Sequence, residues 1–438
     1  MSMQQIMFAS LASGGGGFII EGSGLFDGST GFLSRTPSSA GNRQIWTFST
    51  IIKVPQLAGG QMELLNTRVA DANLMSSLRI NSTGELMYFE RDASASVKCN
   101  VQTTAKFRDP AAFMHVQFSV DTTDATASDR VKIYVNGVQM ALTETTTMAL
   151  NYSTNVNTTV NHNIGVEGGG SADYNGYMAR AVMIDGQALA PTSFGELTND
   201  GFWSISDVSG LDFGDNGFLL TGQNVSTGTD SSGNSNNFSK TGSIISTSDS
   251  PTNSDDGYGN YCTLDPLNQC KNTAAATISN GNLKFGSTST STVDSIGSTL
   301  LIPETGEWYW EVTYHNPDAN YPMVGISNHL NARSYNDYIP GRAIDPGDGV
   351  SLYAGGLISY GSNNTKQAYQ SPNYTSNGTV VAFHWNSSTG VLKSSNDGSS
   401  YTTMRTLTGD GPWMVYIGSG DTNEGTINFG ASDFAYTQ

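Results

Sequence analysis

Positive charge is scarce in this chain. Lys and Arg supply 20 of 438 residues against 38 Asp and Glu, a formal net charge of −18. Such a polyanion repels a phosphate backbone instead of releasing its counterions, so no nucleic-acid partner is expected. Cysteine is rarer, with only Cys99, Cys262 and Cys270 and no CxxC pair, which excludes a structural zinc site. A Cys262 to Cys270 bridge would need an oxidising exterior; reduced bystander thiols are the expected state. No run of about 18 consecutive apolar residues occurs, so membrane insertion is not expected. No Lys or Arg precedes Arg35, so the leader lacks the positive region of a secretory signal and is expected to be retained.

What the chain has instead is turn-forming residue types: 50 Gly, 53 Ser, 46 Thr and 37 Asn together fill 186 positions. These are poor to mediocre helix formers, and the charged residues that build helical surfaces make up only 13%. The expectation is an all-β protein. Aromatic residues at 10% and apolar residues at 37% supply enough surface for packed cores. The length predicts two domains.

Hydrophobic rhythm divides the chain. Residues 1–21 form a leader in which Met3, Ile6, Met7, Phe8 and Leu11 cluster, a candidate attachment segment to a larger particle or to sister copies. Residues 22–197 alternate short apolar runs with turn clusters: IWTFSTIIKV from Ile45, a hairpin about Asn81-Ser82-Thr83-Gly84, and FMHVQFSV followed by VKIYV and the hairpin signal Asn136-Gly137. Residues 198–258 turn Ser-, Asn-, Gly- and Asp-rich and read as a connector of little regular structure. Residues 259–438 resume the strand rhythm at Trp308 to Tyr314, Met323 to Ser327, Gly349 to Tyr353, Thr379 to Trp385, Val391 to Ser394 and Trp413 to Gly418. Two antiparallel β-sandwiches of jelly-roll type are therefore expected.

The ordered segments FMHVQFSVD, VKIYVNGVQ and NHNIGVEGGGSADYNGYMARAVMIDGQALAPTSFG resemble the laminin-G and pentraxin-like branch of the concanavalin A-like jelly rolls. GEWYWEVTY, VGISN, GVSLYAGGLISYG, GTVVAFHWNSSTGVLKSSNDG and INFG resemble a SPRY domain. With the joining pieces GFLSRTPSSAGNRQIWTFS, DSSGNSNNFS, GNYCTLDPLN and NFGASDFAYT, the whole is similar to a tailed-phage and prophage virion protein family, rich in marine viruses. That resemblance implies localisation to the virion, as a tail fibre, appendage or adhesin engaging host-surface glycan or protein, with a capsid-decoration or head-fibre protein as the alternative. Other virion proteins are the implied partners. Repeated weak contacts favour a homo-oligomer, with a trimer expected.

Catalysis is not expected. A glycan hydrolase, the third reading, needs two carboxylates about 5 to 9.5 Å apart. Glu90 with Asp92, and Glu307 with Glu311, do not offer the required pattern. The five histidines form no HxxxH pair. No cofactor is expected, although loop carboxylates Asp121, Asp124 and Asp129, or Glu167 with Asp173, could supply oxygen ligands to calcium. Tyr321, Tyr335, Tyr338, Tyr360, Tyr369 and Tyr374, between strands of the second domain, are candidate ligand-binding residues because tyrosine offers rigid amphipathic contact area.

Overall fold

The computed structural model describes residues 18–55, 60–68, 73–168, 173–254, 256–270, 276–288, 294–318, 322–328, 349–360, 365–368, 374–420 and 422–436. Met3, Ile6, Met7, Phe8 and Leu11 lie outside them, as do Tyr321, Tyr335, Tyr338 and Tyr369. The expected all-β class holds, since the only described α-helix is the single turn Asn224–Thr227. The described residues divide at Asn260 and Tyr261 into two compact units.

The first unit is built from two eight-stranded antiparallel sheets. One runs in the order Val138–Gln139, Val131–Val135, Met114–Asp121, Ile45–Lys53, Asn175–Asp185, Ser23–Asp27, Ile244–Thr247, with Phe218–Thr221 paired alongside Asn175–Asp185. The other runs Leu142–Thr146, Val97–Thr103, Leu86–Arg91, Met75–Ile80, Met62–Asn66, His162–Ile164, Phe32–Arg35, Ser239–Thr241. Period-two alternation sends one side of each strand inward. In the second sheet Leu65, Leu78, Tyr88 and Val101 stand opposite one another and face a core shared with Trp46, Phe48 and Phe118. Trp46 meets Tyr88 edge-on at 5.7 Å. The Asn136-Gly137 turn joins Val135 to Val138 with φ of 47° and 78°, the left-handed pair that a two-residue hairpin requires. A side chain at Gly137 would also strike the Trp203 ring.

Residues 198–258 correct the expectation of a connector. They contribute Trp203–Ile205, Phe218–Thr221, Ser239–Thr241 and Ile244–Thr247, and the last two add the edge strands Ser239–Thr241 to the second sheet and Ile244–Thr247 to the first. Phe218, Leu220, Val225, Phe238 and Ile244 enter the core, Phe218 and Phe238 meeting edge-on at 4.8 Å. The acidic and amide residues that suggested loose chain are acceptors for backbone N–H groups. Asp230 accepts from Leu219 N (2.8 Å), Ser232 N (2.9 Å) and Asn236 N (2.7 Å). Asp249 reaches back to the fully buried Lys53 ammonium at 2.8 Å, which also donates to Asn260 Oδ1 (3.0 Å) and lies over the rings of Phe113 and Tyr177.

The second unit contains two seven-stranded antiparallel sheets, one from Leu264–Cys270 through Asp294–Ser298, Trp413–Ser419, Met323–Asn328, Gly349–Tyr353 and Leu357–Tyr360 to Thr365–Ala368. The other runs Ala276–Ser279, Lys284–Ser287, Glu424–Asn428, Glu307–His315, Val380–Asn386, Val391–Ser395, Thr402–Thr406. Trp310 stacks on Phe383 at 5.5 Å within a core that also takes Trp385 and Trp413. The segment after Phe429 lies against the outward face of Glu307–His315. The buried Glu311 carboxylate accepts from Ala435 N (2.7 Å), Tyr436 N (3.0 Å) and Tyr309 Oη (2.7 Å). Tyr374 is fully buried in this core, which corrects its assignment to a ligand-contacting loop. Cys262 is a buried thiol, donating to Thr263 O (3.6 Å) and accepting from Thr299 Oγ1 (3.7 Å).

Two outcomes follow from the way residues 198–260 fold back. A chain of residues 18–260 is expected to melt in one cooperative transition, whereas one ending at 197 loses two edge strands and should aggregate or fail to show that transition, as read by circular dichroism. Asp249→Asn should lower the stability of the first unit by on the order of 3–5 kcal/mol by removing the anion paired with a buried ammonium; a denaturant midpoint within error of the parent protein would refute that role.

Candidate functional site

The two sheets of the first unit treat their outward faces differently. On the first sheet, Val182, Ile184 and Leu219 are covered by Phe194, Val208 and Phe213, and Ile51 and Ala179 by Ile20. His115 donates to or accepts from Ser49 Oγ at 2.8 Å beneath the stacked Trp203 ring. The chain itself occupies that face.

The second sheet presents polar rows. Side chains opposite one another across neighbouring strands share a face, so register places Ser34, Asn163, Asn66, Ser77, Phe89 and Asn100 in one outward row. Glu63, Arg79, Met87 and Gln102 form the next. The centre is buried and the flank half-buried: Glu63, Asn66 and Ser77 are inaccessible, while Phe89, Asn100 and Gln102 reach solvent. Ser77 Oγ donates to the Glu63 carboxylate, with contacts of 2.7 and 2.8 Å to its two oxygens, and Arg79 Nη1 stands 3.6 Å away. Burial outweighs those partners and pushes the Glu63 carboxyl up to about 8. The Arg79 guanidinium lies 5.5 Å over the Phe89 ring. At the margin Arg68 pairs with Glu167.

Glu90 points the other way, into the sandwich, where it accepts from Tyr88 Oη (2.9 Å), Asn155 N (2.9 Å) and Asn155 Nδ2 (2.6 Å) as well as from Ser76 Oγ. Burial likewise pushes it up to about 8. Asp92 sits in an exposed turn, paired with Lys98 at 2.9 Å, so the two do not share a face as a catalytic pair.

Of the carboxylates considered for calcium, Asp121, Asp124, Asp129 and Glu167 are engaged elsewhere. Asp121 and Asp124 accept from Thr123 N (2.9 Å) and Thr126 N (2.7 Å), and Asp129 pairs with Lys132 at 3.2 Å. The loop carbonyls Asp124 O and Ala125 O already receive the Arg130 guanidinium, with Met148 O as its third acceptor. Glu167 is held by Arg68, and Asp173 is raised by burial and by the nearby Asp27. Among the described residues no group of three or more His, Cys, Asp and Glu is arranged to hold a metal ion. Tyr360 belongs to the strand Leu357–Tyr360, its side chain outside the described residues. Sequence reasoning did not single out Glu63, Asn66, Ser77, Arg79 or Phe89. The alternation Ser77-Leu78-Arg79-Ile80 marks an outward polar side, but only register joins it to Glu63.

The first unit is thus an antiparallel β-sandwich with one polar outward face. Residues 27–192 match the family profile of the concanavalin A-like lectin/glucanases superfamily. Similar solved structures include the SPRY domain of human HERC1, at 14% identity over 37% of this chain and 96% of that one, TM-score 0.30. A native heptameric SAP-like pentraxin from Limulus polyphemus is similar at 15% identity over 44% of this chain and 100% of that one, TM-score 0.29. Domain 4 of AbnA, an extracellular arabinanase from Geobacillus stearothermophilus in complex with arabinotriose, is similar at 19% identity over 39% and 73%, TM-score 0.30. Comparison with curated proteins finds no match.

The buried acids and histidines set a pH response. An unfolded Glu titrates near ~4.3, so between that value and about 8 the folded state holds more protons on Glu63 and Glu90, and their contribution to stability is lost as pH rises across that window. His115, lowered to about 3 by burial and Arg180, and His162, lowered to about 4 by burial, have the opposite slope, which ends near ~6.5 where an unfolded His deprotonates. The slopes offset each other below ~6.5 and the glutamates act alone above it. The first unit's melting temperature is therefore expected to be nearly flat from about pH 5 to 6.5 and to fall from about 6.5 to 8. Glu63→Gln with Glu90→Gln should remove that fall, and an unchanged profile in the double variant would contradict the assignment.

Proposed function

We propose that this chain is a non-enzymatic virion protein of a tailed bacteriophage, a fibre, appendage or adhesin, whose first sandwich holds a host-surface glycan on the outward face of its second sheet. The observation that carries the binding reading is the solvent-reaching flank Phe89, Asn100 and Gln102 of the polar outward rows. The amides of Asn100 and Gln102 provide donors and acceptors for sugar hydroxyls, and the Phe89 ring offers a face for sugar C–H groups. The match of residues 27–192 to a lectin-containing superfamily supports it. The virion setting rests on the sequence resemblance, as do partnership with other virion proteins and a trimeric assembly. The same chemistry disfavours hydrolysis. A glycosidase needs a second carboxyl group available to the bond being cleaved, and on this face Glu167 is tied to Arg68. Calcium at Asp173 is tested by a calcium-dependent rise in melting temperature that Asp173→Asn abolishes; no such rise rules it out.

A glycan array probed with the full chain is expected to show saturable binding, weakened about tenfold by Phe89→Ala. Absence of binding across neutral and acidic glycans would overturn the lectin reading. Antibody labelling of intact particles would assign position: label on tails supports an appendage, uniform label on heads favours a capsid-decoration or head-fibre protein. Release of reducing sugar from a bound glycan would restore the hydrolase reading.

A further inference from the structure

Lys53 is fully buried, and its side-chain nitrogen lies between a carboxyl and a carboxamide. Nζ is 2.8 Å from Oδ2 of the equally buried Asp249 and 3.0 Å from Asn260 Oδ1. A C=O bond of about 1.23 Å puts the Asn260 carbonyl carbon no further than about 4.2 Å from that nitrogen, close to the ~3–3.5 Å of a near-attack arrangement. The other end of the carboxamide is fixed, since Nδ2 donates to Ala111 O (2.8 Å). The rings of Phe113 and Tyr177, centred 5.5 and 5.1 Å from Nζ, wall the amine.

Backbone pairing presents the three groups to one another. Asp249 and Gly259 form a parallel bridge, with Ser250 N donating to Gly259 O (2.8 Å) and Gly259 N to Ser248 O (3.3 Å), so the acid and the residue before Asn260 are held side by side. Lys53 is fixed from the opposite direction, because its strand lies between Met114–Asp121 and Asn175–Asp185. An ion pair needs only the ammonium and the carboxylate. The carboxamide on the same nitrogen completes what an acyl transfer needs: a desolvated amine, an acyl group and a carboxyl to move protons between them.

We propose that Lys53 and Asn260 join in an intramolecular isopeptide bond, with Asp249 as the proton carrier. A proton passes from Nζ to the Asp249 carboxylate across their contact and leaves a neutral amine. Its lone pair attacks Asn260 Cγ and the Nζ–Cγ bond forms. Asp249 then hands its proton to Nδ2, the Cγ–Nδ2 bond breaks, ammonia leaves, and Asp249 takes the second proton of Nζ. Ammonium, carboxylate and carboxamide thus become secondary amide, carboxylic acid and ammonia, with nothing oxidised or reduced and no co-reactant. Asn260 is half-buried, which gives the ammonia an exit, and its dilution into solvent draws the exchange forward. The ion pair described above is the reactant state. The bond would clamp the end of the first unit to a central strand across a separation of 207 residues, restricting the unfolded chain as a disulfide of that span does.

The inference is independent of the glycan-binding reading. Intact-mass spectrometry tests it on the full chain, held folded at neutral pH until its mass is constant and then denatured. The mass is expected to fall below that of the sequence by one NH3, and protease digestion to release a branched peptide joining the segments of Lys53 and Asn260. Asn260→Ala keeps the Lys53–Asp249 pair and should show the full mass of its own sequence with no branched peptide. Asp249→Asn should do the same by removing the proton carrier, and the parent chain's own mass and digest remain decisive if a variant does not fold. An unchanged parent mass, loss of NH3 without a branched peptide, or loss of water with Lys53 joined to Asp249 overturns the proposal. A branched peptide that persists in Asp249→Asn overturns the role of that carboxyl.

Discussion

The buried Lys53–Asp249 pair is the contact on which the first unit closes. Lys53 ends a central strand of the first sheet, and Asp249 follows the last edge strand of the same sheet. Two charges removed from water demand each other. With Asn260 on the same ammonium, they bring residues 249–260 back to Ile45–Lys53 and hold the preceding strands Ser239–Thr241 and Ile244–Thr247 on the two sheet edges. An open sheet edge is a template for unwanted pairing, and here the returning chain supplies both closing strands.

That closure also divides the labour between faces. The chain from Leu189 to Phe213 lies over the outward side of the first sheet and buries Val182 and Ile184 there, so this sheet is apolar on both sides near its centre. Among the described residues no such apolar layer covers the second sheet, whose outward rows carry Asn, Ser, Glu and Arg beside Met87 and Phe89. The polar centre of those rows is buried, and the low dielectric there raises the Glu63 carboxyl despite its Ser77 and Arg79 partners. On the inward side Glu90 is satisfied by four donors, and it serves packing.

Low charge does not leave these sandwiches short of hydrogen bonds, because Asp, Asn, Ser and Thr in the turns satisfy backbone N–H groups. Asp397 accepts from Ser399 N and Ser400 N at the Asn396-Asp397-Gly398 turn, and Asn81 accepts from Thr83 N and Glu85 N at the corresponding hairpin of the first unit. Each is a local bond of a few residues' span, the kind that these side chains form most readily. In the second unit the same principle works at longer range, where Glu311 fixes the segment Ala435 to Tyr436 across the strand Glu307–His315.

Local chemistry was therefore readable from the residues alone. Turn-rich composition, period-two runs and the Asn136-Gly137 signal determine an all-β chain, and strands such as Ile45–Lys53, Met114–Asp121, Gly349–Tyr353 and Trp413–Ser419 fall where their β-branched and aromatic residues put them. Those signals depend only on neighbours along the chain. Tertiary structure decided the rest. Residues 198–258 contribute four short strands to the first unit because Phe218, Phe238 and Ile244 find a core made by residues far away in sequence, which sparse apolar positions among Ser and Asn do not announce. Tyr374 is core and not loop surface for the same reason. The polar face was invisible because Glu63, Asn66, Ser77, Arg79 and Phe89 come from three strands whose pairing register alone sets them side by side, and register is a property of the packed sheet.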